Sequence, residues 1–234
     1  MVVRIPSTAH GARWMTAIAF TVVSVVAVIA LAEAQEVGAR SSRRTTVPPE
    51  QQIIPGYRLT ITSGTRAAYR VKEQLLGINF PNDAVGLTQS VTGGMLLRPD
   101  GSVDSTQSKL TVDLRTLASD QEHRDEYVNE VTLAVDKYPL AEFVPRRIGG
   151  LPAPLGYKGQ HGIEIVGDMT LHGATKELTW KGVVSYEGPT VGGRLVTNFT
   201  FGTFGMRVPR AVTRVLSVED NIVLEVDFKM LRGK

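Results

Sequence analysis

From Tyr57 onward, apolar and polar residues alternate with a period of two along most of the chain. Tyr57, Leu59 and Ile61 alternate with Arg58 and Thr60, and Tyr69, Val71, Glu73 and Leu75 with Arg70, Lys72 and Gln74. Leu110, Val112 and Leu114 share one face. Leu195, Thr197, Phe199 and Phe201 share another, and Ile222, Leu224, Val226, Phe228 and Met230 a third. Such alternation predicts half-buried antiparallel strands, one face apolar and one wet. Pro81-Asn82-Asp83, Pro99-Asp100-Gly101, Gly188-Pro189 and Gly192-Gly193 read as the turns between them.

One stretch changes period. Ser119 is followed three residues later by Glu122, a capping-box spacing. Arg124, Tyr127, Val128 and Val131 then fall on one face of a helix of about three turns. Many short strands with a single helix predict an all-β sandwich or closed barrel.

The segment GDMTLHGATKELTW, residues 167–180, predicts a hairpin in detail. With His172-Gly173 as a two-residue turn, Gly167 faces Leu178, Ile165 faces Trp180 and Ile163 faces Gly182. Both apolar faces then lie on the same side, and a one-residue slip destroys that match. A four-residue loop keeps the same parity, so the turn type stays open. On this face glycines alternate with an indole and large aliphatics. That pattern fits either an open cavity or the tapered packing of a filled barrel.

The first residues belong to no globular element. Arg4 and Arg13 precede an apolar run over residues 15–32, and Ala32-Glu33-Ala34 supplies a peptidase site. Residues 1–34 therefore read as a secretory signal or, since the run approaches bilayer-spanning length, as an uncleaved N-terminal anchor. Either reading places the rest outside the cytoplasm. Residues 35–55 are polar and proline-bearing and read as a flexible linker, and residues 56–234 as one domain. In the linker, Arg40, Arg43 and Arg44 either contact anionic headgroups or cell-wall polymers or are a solvated spacer.

Composition removes several chemistries. The chain has no cysteine, so disulfides, thiol nucleophiles and zinc–thiolate sites are excluded. Without residues 1–34 the chain keeps 24 Lys and Arg against 22 Asp and Glu, a net charge of +2. That balance is too weak and too dispersed for nucleic acid. No nucleophile elbow, zinc-helix, dinucleotide or P-loop motif occurs. His123, His161 and His172 show no ligand spacing, and no metal is expected.

Gly167–Lys176 resembles the "G-x-L-T-I-H-G-V-T-K" hairpin of the YceI-like family of exported bacterial lipid-binding proteins. Ser108–Asp113 with Leu117 and Arg124-Asp125 is similar to that family's strand and "R-D" helix start. Lys137-Tyr138-Pro139 with Phe143 is similar to its "K-Y-P-x-x-x-F", and Phe204-Gly205 to its late "F-G". The resemblance spans nearly all of residues 57–231. It implies an extended lipocalin-like antiparallel β-barrel of about eight strands with one short α-helix, whose lumen holds a polyisoprenoid, quinone or fatty-chain amphiphile. Two positions depart from the family: Glu73 stands where many members carry histidine, and Phe201 near where they carry arginine.

Combined with the strand phases, this predicts a lumen lined by Tyr69, Val71, Glu73, Phe143, Ile165, Met169, Trp180, Gly182, Val184, Phe199, Phe201 and Phe228. Glu73 and Arg124 are its polar end. Glu73, turned inward by its phase, is either an anchor for a ligand head or a strand-end residue bonded to backbone. Arg124 either reaches that head or pairs with a strand carboxylate; Asp125 suits the positive end of the helix dipole. The function expected is a carrier for an amphipathic lipid, with no cofactor besides that ligand. The partner states considered are a membrane surface and a homodimer. The competing readings are an enzyme acting on a lipid inside the barrel, and a ligand-free structural or envelope-stress domain.

Overall fold

The computed structural model describes residues 56–77, 80–209 and 215–233, so the expected signal and linker lie outside the described residues. Ten strand segments follow in order. They are β1 (Tyr57–Ile61), β2 (Arg66–Leu75), β3 (Asn82–Thr88), β4 (Val91–Leu97), β5 (Val103–Asp113), β6 (Leu140–Gly149), β7 (Lys158–Leu171), β8 (Ala174–Glu187), β9 (Thr190–Phe199) and β10 (Val215–Gly233). Every pairing is antiparallel.

The ten segments make eight staves. β10 pairs along one edge with β9 and along the other with β2 and then β1. β1 and β2 are thus one stave, interrupted at residues 62–65. β3 and β4 form the next stave, paired with β2 and β1 in turn. From β4 the order runs through β5, β6, β7, β8 and β9 back to β10, which closes the barrel. Closure pairs most strand edges, while β3 is laddered on β2 alone and touches Ala118 through Leu87 on its other side.

The β7–β8 hairpin has the expected register, with Gly167 opposite Leu178, Ile165 opposite Trp180 and Ile163 opposite Gly182. Its two-residue turn holds His172 at φ 50° and Gly173 at φ 76°. Positive φ at both central positions matches the right-handed strand twist, which is what a two-residue hairpin turn requires. His172 is held there by contacts: its Nδ1 lies 3.2 Å from the Phe204 carbonyl and its ring packs edge-on against Tyr138.

Other expectations are corrected. Gly192 and Gly193 are strand residues of β9, and the turn is made by Gly188-Pro189 alone. Asn82 and Asp83 already belong to β3. Phe201 does not continue β9 but starts a short 3-10 turn, Phe201–Phe204, whose first N–H donates to the Asp220 carboxylate.

The helix, α1 (Glu122–Tyr127), is capped by Gln121, without a side-chain bond. Ser119 is not the cap. Asp125, rather than Glu122, reaches back, and both its oxygens accept the Ser119 N–H at 2.9 Å. α1 then runs into a π turn, Val128–Thr132. A π turn inserts one residue, so the inward face shifts by one. Thr132 and Leu133 are buried, and Val131, expected inside, is 59 % exposed.

Pro145 is fully buried in β6, an interior strand. It is tolerated because it sits at the register shift between Pro145 and Arg147, where no ladder N–H is needed. The outer face carries cross-strand ion pairs such as Arg194–Asp227, Lys109–Glu142 and Lys181–Glu164.

A hollow lumen with one polar end

The barrel encloses a cavity of about 1170 Å³. Ligand pockets commonly fall near 300–1,000 Å³, so this one is large. The burial pattern shows the same hollowness without any volume. In a filled barrel, inward side chains lose their accessible surface and outward ones keep it. Here Leu195, Leu224, Val226 and Phe228 point inward and line the cavity, yet remain only half-buried. Their missing neighbours are the open space itself.

At the far end from α1 the lining is apolar: Leu97, Leu151, Leu155, Tyr186, Val191 and Met230. At the other end α1, the π turn and the residues flanking them contribute Asp120, Arg124, Tyr127, Val128, Thr132 and Leu133. Leu76 and Val131 also line this end and are 64 % and 59 % exposed, so the cavity reaches the surface there.

Of the residues expected to line the lumen, Tyr69, Val71, Glu73, Phe143, Ile165, Met169, Trp180, Val184, Phe199, Phe201 and Phe228 do border the cavity, as does Arg124. Gly182 does not, and the reason corrects the reading of the glycines. A β-carbon at Gly182 would run into the Arg194 carbonyl of β9. One at Gly167 would meet the Val144 carbonyl and the Phe143 ring. These glycines allow close approach of neighbouring backbone and do not leave room for a guest. Gly86 lets the Tyr69 ring lie flat across it, a glycine covered by a cross-strand aromatic.

Glu73 and Arg124 form the centre of the polar end. Arg124 Nη2 donates to Glu73 Oε1 at 2.8 Å, with side chains 17 % and 6 % exposed. Arg124 Nη1 donates to Asp120 Oδ1 at 2.7 Å and Ser119 Oγ at 3.2 Å. Both terminal nitrogens are therefore engaged, and Arg124 takes the pairing role. Among the described residues, Glu73 is bonded to a side chain, not to backbone. Beside them, burial pushes the Tyr69 phenol up to about 12, partly offset by the Arg124 charge.

Sequence reasoning missed Thr132, which the π turn carries into the cavity wall. It also missed that Tyr69 and Trp180 would lack polar partners. His161 Nε2 is spent on the Tyr186 hydroxyl at 3.1 Å. Among the described residues no group of three His, Cys, Asp or Glu could hold a metal ion.

A family model of the YceI-like domain matches residues 62–230. The chain belongs to the YceI-like family. A UPF0312 protein of Pseudomonas putida is 31 % identical over 124 residues, which cover 49 % of this chain and 61 % of the relative. A UPF0312 protein of Pseudomonas syringae is 31 % identical over 121 residues, covering 48 % and 59 %. The match thus spans about three fifths of these relatives. Among solved structures, a polyisoprenoid-binding domain from Saccharophagus degradans, implicated in plant cell wall breakdown, superposes with a TM-score of 0.54 at 10 % identity, covering 76 % of this chain and 97 % of that one. BcnA of Burkholderia cenocepacia gives 0.50 at 18 % identity, covering 73 % and 96 %. At such identities the likeness is one of fold: this YceI-like chain shares their antiparallel barrel.

Proposed function

We propose that this YceI-like protein is a carrier outside the cytoplasm that holds one long-chain amphipathic lipid, a polyisoprenoid, quinone or fatty-chain molecule, in the barrel. The observation that carries the reading is the hollow lumen, with half-buried Leu195, Leu224, Val226 and Phe228 around open space and a polar end at Glu73 and Arg124. An elongated apolar cavity with polar groups at one mouth suits a chain with a head. The polyisoprenoid-binding description of the Saccharophagus degradans domain supports the same class of guest. Export is supported by the basic, apolar and Ala32-Glu33-Ala34 segments of the N-terminus. The role is binding, not turnover.

Organic extraction of protein purified from the exported fraction, followed by mass spectrometry, tests this. A stoichiometric long-chain amphiphile, released unmodified, is expected. A lipid-free protein that takes up no long-chain lipid after refolding would refute it.

A further inference from the structure

Nine large apolar side chains are exposed among the described residues, and four of them gather at the open end of the barrel. Phe80 is 71 % exposed, Leu76 64 %, Val131 59 % and Leu216 56 %. Register brings three of these together. Leu76 follows the last residue of β2, Leu75, which pairs with Val215 of β10, the neighbour of Leu216. Phe80 stands two residues before Asn82, which pairs with Glu73 near the same end of β2. Val131, on the π turn, borders the mouth of the lumen together with Leu76, whereas Phe80 and Leu216 do not line the lumen. Scattered exposed leucines carry no message, but apolar side chains grouped on one rim mark an interaction surface.

Charge decides what kind of partner fits. Among the described residues the same mouth carries Asp120, Glu126 and Glu130 beside the buried Glu73, against Arg124 and His123. Arg124 is shared by Glu73 and Asp120, and His123 lies 3.4 Å from Glu126. Glu130 is exposed and has no ion-pair partner among the described residues. Nearby, Lys72 is held by Asp83 at 3.4 Å. The other cations of this end stand across the barrel, on the β7–β8 side. Lys137 lies over Tyr138, which packs on His172; Lys176 is in β8 opposite Met169; and Arg207 comes three residues after Phe204, whose carbonyl meets His172. The apolar cluster is thus flanked by carboxylates. An anionic bilayer is repelled by such a rim, and any bilayer would have to take free carboxylates among its headgroups. A protein segment with an apolar face and lysines or arginines beside it complements both features.

We propose that the open end is a docking face for a basic, amphipathic segment of a partner protein, its apolar residues on Leu76, Phe80, Val131 and Leu216 and its cations toward Glu126 and Glu130. This extends the carrier reading by placing a protein, instead of a membrane, at the mouth through which a lipid passes. Four side chains make a small contact, so binding is weak and readily reversed.

The test uses two labelled helical peptides that share one leucine-rich face and carry either lysine or glutamate on the other. Fluorescence anisotropy with the full chain measures their binding. The lysine peptide is expected to bind about tenfold more tightly than the glutamate peptide, and to weaken as salt is raised. Phe80→Ser and Leu216→Ser, both outside the lumen, are each expected to weaken it about threefold or more and to leave the extracted lipid unchanged. Glu126→Gln with Glu130→Gln is expected to remove most of the salt dependence. Val183→Ser, which removes an exposed apolar residue from the outer face of β8, is expected to change nothing. Equal binding of the two peptides, or none, overturns the proposal. So does binding that Phe80→Ser leaves intact, which means that the peptide enters the lumen, or that Val183→Ser weakens as much. Flotation of the chain with phosphatidylcholine or phosphatidylglycerol vesicles that Phe80→Ser abolishes assigns the face to a membrane and overturns it too. Absence of lipid from the extracted wild type refutes the carrier reading instead, and the peptide result still decides the docking face.

Discussion

Enlarging a side chain that points into the lumen and adding one methyl group to a glycine in its wall should have opposite consequences. Val226 lies in the middle of β10, registered against Leu195 and Ala67, and stays half-buried although it faces inward. In a filled core Val226→Phe would cost about 1–3 kcal/mol through off-rotamer packing. Against open space the added ring meets no such resistance, and the net change should stay within about 1 kcal/mol. For a domain of this size that is a melting shift of at most about 2–4 °C. Gly182→Ala adds a single carbon, but that carbon is aimed at the Arg194 carbonyl. The obstacle is backbone in the β8–β9 ladder, where Gly182 pairs with Leu195 and Val183 with Arg194, so relief requires breaking pairing. A cost of about 3 kcal/mol, a fall of roughly 6–12 °C, is expected. Calorimetry measures the two shifts, and extraction with mass spectrometry measures bound lipid. Val226→Phe should fold and lose its lipid; Gly182→Ala should lose stability first. The reasoning is refuted if the two variants melt alike, or if Val226→Phe keeps its full lipid content.

Three further outcomes follow from named contacts. Val184 is 3 % exposed and borders the apolar part of the lumen, so Val184→Asp should cost about 3 kcal/mol or more, whereas Ser185→Asp on the outer face should stay within about 0.5; equal melting temperatures would show the faces reversed. Glu73→Gln should cost about 2 kcal/mol, less than the full penalty for breaking a buried pair, because Arg124 keeps Asp120 and Ser119; the double change Glu73→Leu with Arg124→Met should recover much of it, and additive denaturant midpoints would contradict the pairing. Tyr69 holds its proton up to about 12 in the folded chain, against about 10 when unfolded, so its contribution is complete below pH 10 and is lost as pH rises toward 12. Urea midpoints at pH 9 and 11.5 should therefore fall more for wild type than for Tyr69→Phe, by about 2 kcal/mol, and parallel falls would count against a buried neutral phenol.

The legible parts of this sequence are those governed by a short period. The β7–β8 register followed from alternation over fourteen-residue strands and a turn whose two residues accept positive φ, and both constraints are local. What stayed hidden needed partners distant in sequence. Glu73 could be placed inward from its phase, but its partner Arg124 lies 51 residues away on a helix. The π turn moved the buried face from Val131 to Thr132, which no 3.6-residue pattern can register. The inner glycines were misread for a related reason. A glycine's missing side chain looks the same in sequence whether it leaves a void or admits a neighbouring backbone, and at Gly182 it admits β9. The hollow was there, but its mark is the half-burial of Leu224, Val226 and Phe228, which appears only once the barrel is closed.

A chain without disulfides must hold a hollow barrel shut by other means, and the distribution of packing shows how. The ends carry the dense clusters. Phe199 and Phe204 meet edge-on at 4.8 Å near α1, with Phe201 and Met206 buried beside them, while Leu97, Val191 and Met230 are buried at the opposite end. The outer ion pairs add little, since exposed pairs contribute about 0–1 kcal/mol each. Strand closure, the packed ends and the buried Phe143, Ile165 and Trp180 of the β6–β8 wall therefore support the fold, and the β9–β10 wall around Leu195, Leu224, Val226 and Phe228 is where apolar surface is left uncovered. On the proposed carrier role, a guest chain would supply the burial that those four residues lack, without being needed for closure. Binding to the folded state alone raises stability by RT ln(1 + [L]/Kd), about 2.7 kcal/mol at a hundredfold excess over Kd. The empty barrel should thus be folded and the loaded one measurably more stable, a combination that suits release and reloading better than a core that collapses when its lipid leaves.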